Sequence, residues 1–137
     1  MTHHLTASPE TCAWGYFDAI LPPVLTIQSG EVVVIDTVSG GLEQLPSADA
    51  GVHIPPELED IHLRCDRQLP GHILTGPVAV EGAKPGHVLE VQILDVELRQ
   101  DWGWNIIRPL AGTLPDDFPI GRKEIIPLDT DRMLGRL

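Results

Sequence analysis

The run from His72 to Ile93 contains the clearest strand signals in the chain. Apolar and polar side chains alternate near residues 78–81, and the alternation returns at residues 89–93. A period of two residues is typical of strands that bury one face and expose the other. The intervening Gly82–Gly86 is bounded by glycines and contains a proline, which favours a tight turn. The pattern predicts a β-hairpin, and the rest of the fold must accommodate it.

A second hairpin is predicted over Val24–Asp36. Its turn is placed at Ser29–Gly30, because glycine adopts turn conformations at little cost. The following run, Val32–Ile35, is β-branched throughout and therefore favours a strand over a helix. Asp36 ends this strand before a glycine-rich segment, where a carboxylate can either face a ligand or form a local turn.

The remaining segments give weaker signals. Residues 1–12 show no periodicity and are expected to be a solvated terminus. Residues 55–63 predict a short helix, with a proline in the first turn and acidic residues near the positive end of the helix dipole. Trp102–Trp104 is interpreted as a bend, and Arg122–Leu128 as a last strand. We therefore predict a mainly β fold of sandwich-like antiparallel strands and hairpins, with at most one or two short helices.

Composition limits the classes of function. The chain has 137 residues with a formal net charge of −11, which disfavours nucleic acid and anionic membrane surfaces as partners. No apolar run reaches the length of a membrane span, and the N-terminus lacks the features of a signal peptide. The two cysteines, Cys12 and Cys65, lie far apart in the sequence without a CxxC motif, which is not the pattern of a disulfide framework and predicts two reduced thiols. We expect a soluble cytoplasmic protein.

Three titratable residues could form a metal site if the two hairpins lie side by side. A hydrolytic metal centre uses His and carboxylate ligands and leaves one position open for water. Asp36, His72 and Glu81 could supply such a set, although no two of them have a compact spacing such as HxxxH. The alternative is structural: His72 caps a turn and Glu81 is a solvated strand residue.

Other chemistries have less support. None of the serines lies in a GxSxG motif, and no glycine-rich phosphate-binding motif is present. A thiol–imidazole pair between Cys65 and either His62 or His72 stays open as an alternative.

A long ordered motif resembles the signature of the acetamidase/formamidase family. The matching residues have the pattern His72-x-x-Thr75-Gly76-Pro77-Val78-x-Val80-Glu81-Gly82-Ala83-x-Pro85-Gly86-x-Val88-Leu89, followed by Ile93-Leu94-Asp95 and Trp102-Gly103-Trp104. The resemblance covers about residues 10–115, and it is specific because one extended run matches rather than a short motif.

The resemblance implies hydrolysis of short linear amides to ammonia and a carboxylic acid by a mainly β, oligomeric enzyme. It also implies a divalent metal such as Zn²⁺, with Asp36 and His72 as ligands and Glu81 as catalytic base or ligand. Thr75, in the shared motif, and Trp104, in the aromatic pair, are the predicted substrate contacts.

Two departures from the family pattern affect this interpretation. The family has Asp where this chain has His87, and this chain contains no counterpart of the family's segment G-D-x-H-x-x-Q-G-D-G-E. We therefore interpret residues 1–137 as a single partial domain resembling the N-terminal half of a family member. It is expected to form a homo-oligomer or to join a complementary C-terminal half. The alternative is a non-catalytic β module for binding or structure.

Overall fold

The structure is a computed structural model that describes residues 1–136. The described residues form short strands and one α-helix, so the predicted mainly β class is confirmed. The elements are β1 (Thr2–Leu5), β2 (Cys12–Trp14), β3 (Leu25–Ile27), β4 (Val32–Ile35), α1 (Pro56–Arg64), β5 (Ile73–Thr75), β6 (Val78–Val80), β7 (Trp102–Ile107), β8 (Arg122–Asp129) and β9 (Leu134–Gly135), with a 3₁₀ turn at Leu42–Gln44.

The chain divides into two compact units. The first contains Met1–Gly40 and Pro56–Ile93, and the second contains Gly41–Pro55 and the described residues from Leu94 onward. The candidate residues Asp36, His72, Thr75 and Glu81 belong to the first unit, and Trp104 belongs to the second.

Three pairs of strands build the first unit. β1 pairs in parallel with β4, β2 pairs antiparallel with β5, and β3 pairs in parallel with β6. Each pair joins segments that are distant in sequence: Cys12, for example, lies opposite Thr75. Residues 73–80 are therefore held by two different strands, with β5 on β2 and β6 on β3.

The two predicted hairpins do not form. The turn at Gly30 is present, with φ of 85° and a hydrogen bond from the Glu31 N–H to the Gln28 carbonyl. However, β3 and β4 on either side of it each pair with a distant strand and not with each other. Two strands joined by a tight turn can pair only antiparallel, whereas β3 and β4 each pair in parallel with a distant strand. The turn was therefore predicted correctly, but the pairing of the two strands that flank it was wrong.

The predicted second strand of the other hairpin is also absent. Residues 87–99 form no strand, and their apolar side chains other than Leu98 are exposed, by 95% for Val88 and 79% for Ile93. The turn before them is present, since the His87 N–H donates to the Lys84 carbonyl. A strand requires a partner for its backbone groups, and none of the strands in the described part of the chain pairs with these residues.

The predicted helix is confirmed as α1. Leu58 and Ile61, three residues apart on one face, are both 0% exposed. Glu57 and Glu59 lie in the first turn and His62 and Arg64 in the last, where each sign of charge is favoured by the helix dipole. Burial of this apolar face, rather than helix propensity, stabilises so short a helix.

The N-terminus is ordered, contrary to the expectation of a solvated segment. β1 pairs with β4, and Leu5 and Ala7 are buried. The His3 imidazole Nε2 lies 2.9 Å from the Glu31 carboxylate. Sequence patterns missed this strand because only one of its residues, Leu5, is buried.

The second unit contains the antiparallel sheet β7–β8–β9. Arg122–Leu128, predicted as the last strand, is confirmed as a strand, β8, but the short β9 follows it. Trp102 and Trp104, predicted to form a bend, instead lie within β7. Trp102 is fully buried, and its indole N–H donates to the His53 carbonyl over 2.7 Å. Among residues 1–136 no helix has the length and apolar character required to cross a bilayer.

Candidate active site

The segment that leads to His72 is fixed by Trp14. The indole ring is 3% exposed and stacks on His62 with centroids 5.1 Å apart, while the Arg67 guanidinium carbon lies 5.0 Å from its centroid. Its Nε1–H donates to the Gly71 carbonyl over 3.2 Å. A buried aromatic ring combines a large apolar contact area with a cation–π contact. Trp14 therefore fixes the segment that connects α1 to β5.

His72 lies immediately before β5 and its side chain is exposed. Its backbone carbonyl accepts a hydrogen bond from the Gly15 N–H over 3.0 Å, which extends the pairing of β2 and β5 by one step. Gly15 has φ of 92°, and a Cβ placed there would lie 2.1 Å from the Leu69 carbonyl oxygen. The backbone of His72 is therefore positioned by a glycine that permits close approach of two chain segments.

The hydroxyl of Thr75 links three chain segments. It donates to the Asp36 backbone carbonyl over 2.8 Å, and the Cys12 Sγ lies 3.7 Å from the Thr75 hydroxyl oxygen. A threonine hydroxyl has one hydrogen to donate. Because that hydrogen goes to Asp36, the Cys12 thiol must be the donor to Thr75. The result is a directed chain, from Cys12 S–H to Thr75 O–H to the Asp36 carbonyl.

Asp36 follows β4 directly, and its backbone is anchored on both sides. Its N–H donates to the Leu5 carbonyl over 2.9 Å, and its carbonyl accepts the hydrogen bond from Thr75. Glu81 follows β6 in the same way: its N–H donates to the Ile27 carbonyl over 2.7 Å and its side chain is exposed. Each of these acidic residues thus continues the ladder of a parallel strand pair.

The structure brings Asp36 and Thr75 into hydrogen-bond contact. His72 lies before β5, and Glu81 follows β6. His72 lies three residues before Thr75, a separation of roughly 10 Å along a strand. Within residues 1–136 no three His, Cys, Asp or Glu side chains are arranged to hold a metal ion. As arranged here, Asp36, His72 and Glu81 do not complete a ligand set for a metal ion. Their assignment stays a prediction.

The thiol–imidazole alternative is not formed either. The Cys65 thiol donates to the Cys12 carbonyl over 3.5 Å, while the His62 Nε2 lies 2.8 Å from the Gly40 carbonyl. An imidazole nitrogen that faces a carbonyl must carry a hydrogen, so Nε2 is the donor. The other ring nitrogen, Nδ1, is buried without a hydrogen-bond partner in the described structure. Sequence analysis missed the contact between Cys12 and Thr75, because 63 positions separate the two residues.

The second unit holds Trp104 and an apolar cleft of about 370 Å³. Trp104 is half-buried in β7 opposite Ile125. The cleft is lined mainly by side chains at the end of β7 and in the following loop, among them Ile107, Leu114 and Phe118. Neither Trp104 nor any of the four candidate residues of the first unit lines it. Its single charged lining residue, Arg108, lies 3.9 Å from Glu43, so the cleft offers no set of acid, base or nucleophile.

Comparison with known proteins identifies the family. The model of the acetamidase/formamidase family matches residues 5–133, which is nearly the whole chain. The chain belongs to the acetamidase/formamidase family. The match includes the segment His72–Glu81, so the resemblance predicted from that motif is confirmed.

Two members of the family illustrate the extent of the match. A formamidase from Methylophilus methylotrophus is 44% identical over 59 residues, which are 39% of this chain and 14% of that protein. The fold is similar to the crystal structure of a recombinant predicted acetamidase/formamidase from the thermophile Thermoanaerobacter tengcongensis. That similarity has a TM-score of 0.67 at 21% identity, over 94% of this chain and 38% of the other. The chain therefore spans well under half the length of these relatives.

Proposed function

We propose that this chain forms part of a cytoplasmic amidohydrolase that converts short linear amides to ammonia and a carboxylate. The observation that carries this proposal is the family match over residues 5–133. The formamidase relative, 44% identical over its aligned residues, supports a formamide-like substrate. Formamide and acetamide are the substrates of choice for the test.

We assign Glu81 as the general base and Asp36 and His72 as ligands of a divalent metal such as Zn²⁺. The exposed side chains of His72 and Glu81 support these roles, because both are accessible to a substrate and to further ligands. A carboxylate within hydrogen-bond reach of a water can take its proton as that water attacks the amide carbonyl. Thr75 and Trp104 are assigned to substrate binding. The Thr75 hydroxyl retains acceptor capacity for an amide N–H, although its own hydrogen is used by Asp36.

The active unit in this proposal includes a complementary C-terminal half, carried by a partner polypeptide or by a longer chain. The chain covers 38% of the solved family member, and residues 88–96 expose apolar side chains in a sequence with strand periodicity. An unpaired segment of this kind adds readily to the edge of another sheet. A C-terminal half carrying the G-D-x-H segment is the partner that would supply both a strand and the missing polar residues. Homo-oligomerisation would cover the same surface without completing the site.

A non-catalytic β module is the second candidate. The absence of a three-residue ligand cluster among residues 1–136 favours it. The two candidates differ in what His72 does. In an amidohydrolase His72 holds metal, whereas in a binding module it is a solvated side chain.

Elemental analysis of the purified protein tests the role of His72. We expect His72→Ala to lower the bound metal, and His87→Ala to leave it unchanged. His87 is the matched control because it is also an exposed histidine near the same motif. Equal metal content in the two variants would remove His72 from the ligand set. Ammonia release from formamide, measured with and without added Zn²⁺, tests the activity itself.

A further inference from the structure

The two cysteines are neighbours in the fold although 53 positions separate them. β2 has a neighbour on each side: β5 on one, and the segment after α1 on the other. Trp14 forms an isolated parallel bridge with Arg67, and the Gln68 N–H donates to the Trp14 carbonyl over 3.3 Å. The bridge brings Cys65, which follows α1 directly and precedes Arg67 by two residues, close to Cys12. The contact is direct, since the Cys65 Sγ lies 3.5 Å from the Cys12 carbonyl oxygen.

This register suits a covalent bond between the sulfurs. Adjacent strands lie about 4.8 Å apart, and disulfides join Cα atoms separated by roughly 4.4–6.8 Å. The Cys12 Sγ now faces Thr75 at 3.7 Å. Because Thr75 lies on the other side of β2, rotation about the Cα–Cβ bond of Cys12 turns the sulfur from Thr75 toward Cys65.

We propose that Cys12 and Cys65 form a reversible intramolecular disulfide when the protein meets a small-molecule disulfide. One thiolate attacks the small disulfide, forms a mixed disulfide and expels the first small thiol. The second thiolate then attacks the protein sulfur of that mixed disulfide and expels the second. Two electrons and two protons pass from the cysteines to the small molecule, which leaves as two thiols. This inference does not depend on the proposed function.

The order of attack follows from the surroundings of the two sulfurs. Burial raises the pKa of the Cys65 thiol, and the nearby Cys12 and Asp66 add to the increase. The thiolate is the attacking form, so the raised pKa of Cys65 leaves that thiol a poor attacker at neutral pH. Cys12 is therefore assigned the first attack and Cys65 the resolving step.

Oxidation changes the contacts of Thr75. When the Cys12 sulfur turns toward Cys65, the Thr75 hydroxyl loses its thiol donor and keeps only its bond to the Asp36 carbonyl. One acceptor position on the hydroxyl becomes free. The disulfide also ties the end of α1 to β2, which joins the two segments that flank Trp14. In a reducing compartment such a bond is transient and signals oxidation rather than supporting the fold.

Mass spectrometry of the full chain tests the proposal. After incubation with oxidised glutathione under native conditions, we expect both free thiols to disappear and the mass of the monomer to fall by two hydrogen atoms. Proteolysis should release one linked peptide pair containing Cys12 and Cys65, and dithiothreitol should restore both thiols. We also expect the melting temperature of the oxidised form to rise by roughly 5–10 °C, because the bond closes a long loop.

Variants distinguish this bond from other thiol chemistry. Cys65→Ser should stop at a stable glutathione adduct on Cys12, because it lacks the resolving thiol. Two stable adducts on the wild-type chain, persistence of both free thiols, or a disulfide-linked dimer in place of the internal bond would each overturn the proposal. A wild-type chain that passes through a single adduct to the internal disulfide supports it.

Discussion

Replacement of Gly15 by alanine should destabilise the first unit more than any comparable change in its loops. An alanine Cβ at this position would lie 2.1 Å from the Leu69 carbonyl oxygen and 2.7 Å from its carbonyl carbon. Both are backbone atoms, so relief requires the segment before His72 to move. The residue also has φ of 92°, which costs an alanine about 1–2 kcal/mol.

Gly30 provides a matched control. It has φ of 85°, but a Cβ there meets nothing within 4 Å. Gly30→Ala should therefore show the conformational cost alone, about 1 kcal/mol. The forced backbone shift at Gly15 adds roughly 1–3 kcal/mol, so Gly15→Ala should cost about 3 kcal/mol in total. The difference between the two variants isolates the close approach of Gly15 to Leu69.

Urea denaturation followed by tryptophan fluorescence measures both costs. We expect the free energy of unfolding of Gly15→Ala to be lower than that of Gly30→Ala by about 2 kcal/mol, with unchanged m values. Equal losses in the two variants would refute the placement of Leu69 against Gly15, and with it the local support of His72. A change in m for either variant would show that the substitution alters the unfolded or folded ensemble rather than a contact.

Three further predictions follow from the described contacts. Thr75→Val removes the hydrogen bond to the Asp36 carbonyl at the end of β4, and it should lower the free energy of unfolding in urea by about 1 kcal/mol. Thr75→Ser should lower it less, because serine keeps the hydroxyl. Equal losses of stability in the two variants would contradict this hydrogen bond. Leu58→Ala in α1 should lower the free energy of unfolding by about 2–5 kcal/mol, because the Leu58 side chain is fully buried. Leu63 is 84% exposed, so Leu63→Ala should change stability little. A larger loss for Leu63→Ala than for Leu58→Ala would contradict the orientation of the helix. The backbone N–H of Gln28, followed by the His3 imidazole, holds the pKa of the Glu31 carboxyl below its ordinary value. This lowered folded-state pKa adds stability at neutral pH that is lost as the pH falls through that pKa. Glu31→Gln should therefore reduce stability at pH 7 and converge with wild type in acid, and a difference that persists at low pH would contradict this account.

The strands themselves were largely predictable, but their partners were not. Val32–Ile35 is β-branched throughout, and such a run fits a pleated strand wherever its partner lies. Its partner, β1, is a parallel strand with a single buried residue, Leu5, so no local pattern announces the pairing. Turn chemistry at Ser29–Gly30 specifies a change of direction and nothing about which strands come together.

The same distinction explains residues 88–96. Alternation of apolar and polar residues shows that a segment can be a strand with one buried face. Whether it becomes one depends on a partner for its backbone groups, and sequence alone does not reveal whether that partner belongs to the same chain. Val88 and Ile93 therefore remain exposed in the described structure, although the sequence around them has the alternation of a strand.

The sequence predicted which residues belong to the candidate site, but not how these residues contact one another. The motif from His72 to Glu81 identified the family, and the family model match over residues 5–133 confirms it. The hydrogen bond that joins Thr75 to Asp36 spans 39 positions and depends on β2, β4 and β5 together. No spacing rule could have found it, because only the packing of those strands brings the two residues into contact.

Ammonia release tests the central claim most directly. The chain is assayed with formamide and acetamide, alone and after co-purification with a C-terminal half that carries the G-D-x-H segment. We predict that the two polypeptides co-elute, that the complex releases ammonia, and that His72→Ala in the complex reduces the rate at least tenfold, or about 1.4 kcal/mol in the activation barrier. A co-eluting complex that releases no ammonia from either amide would contradict the account.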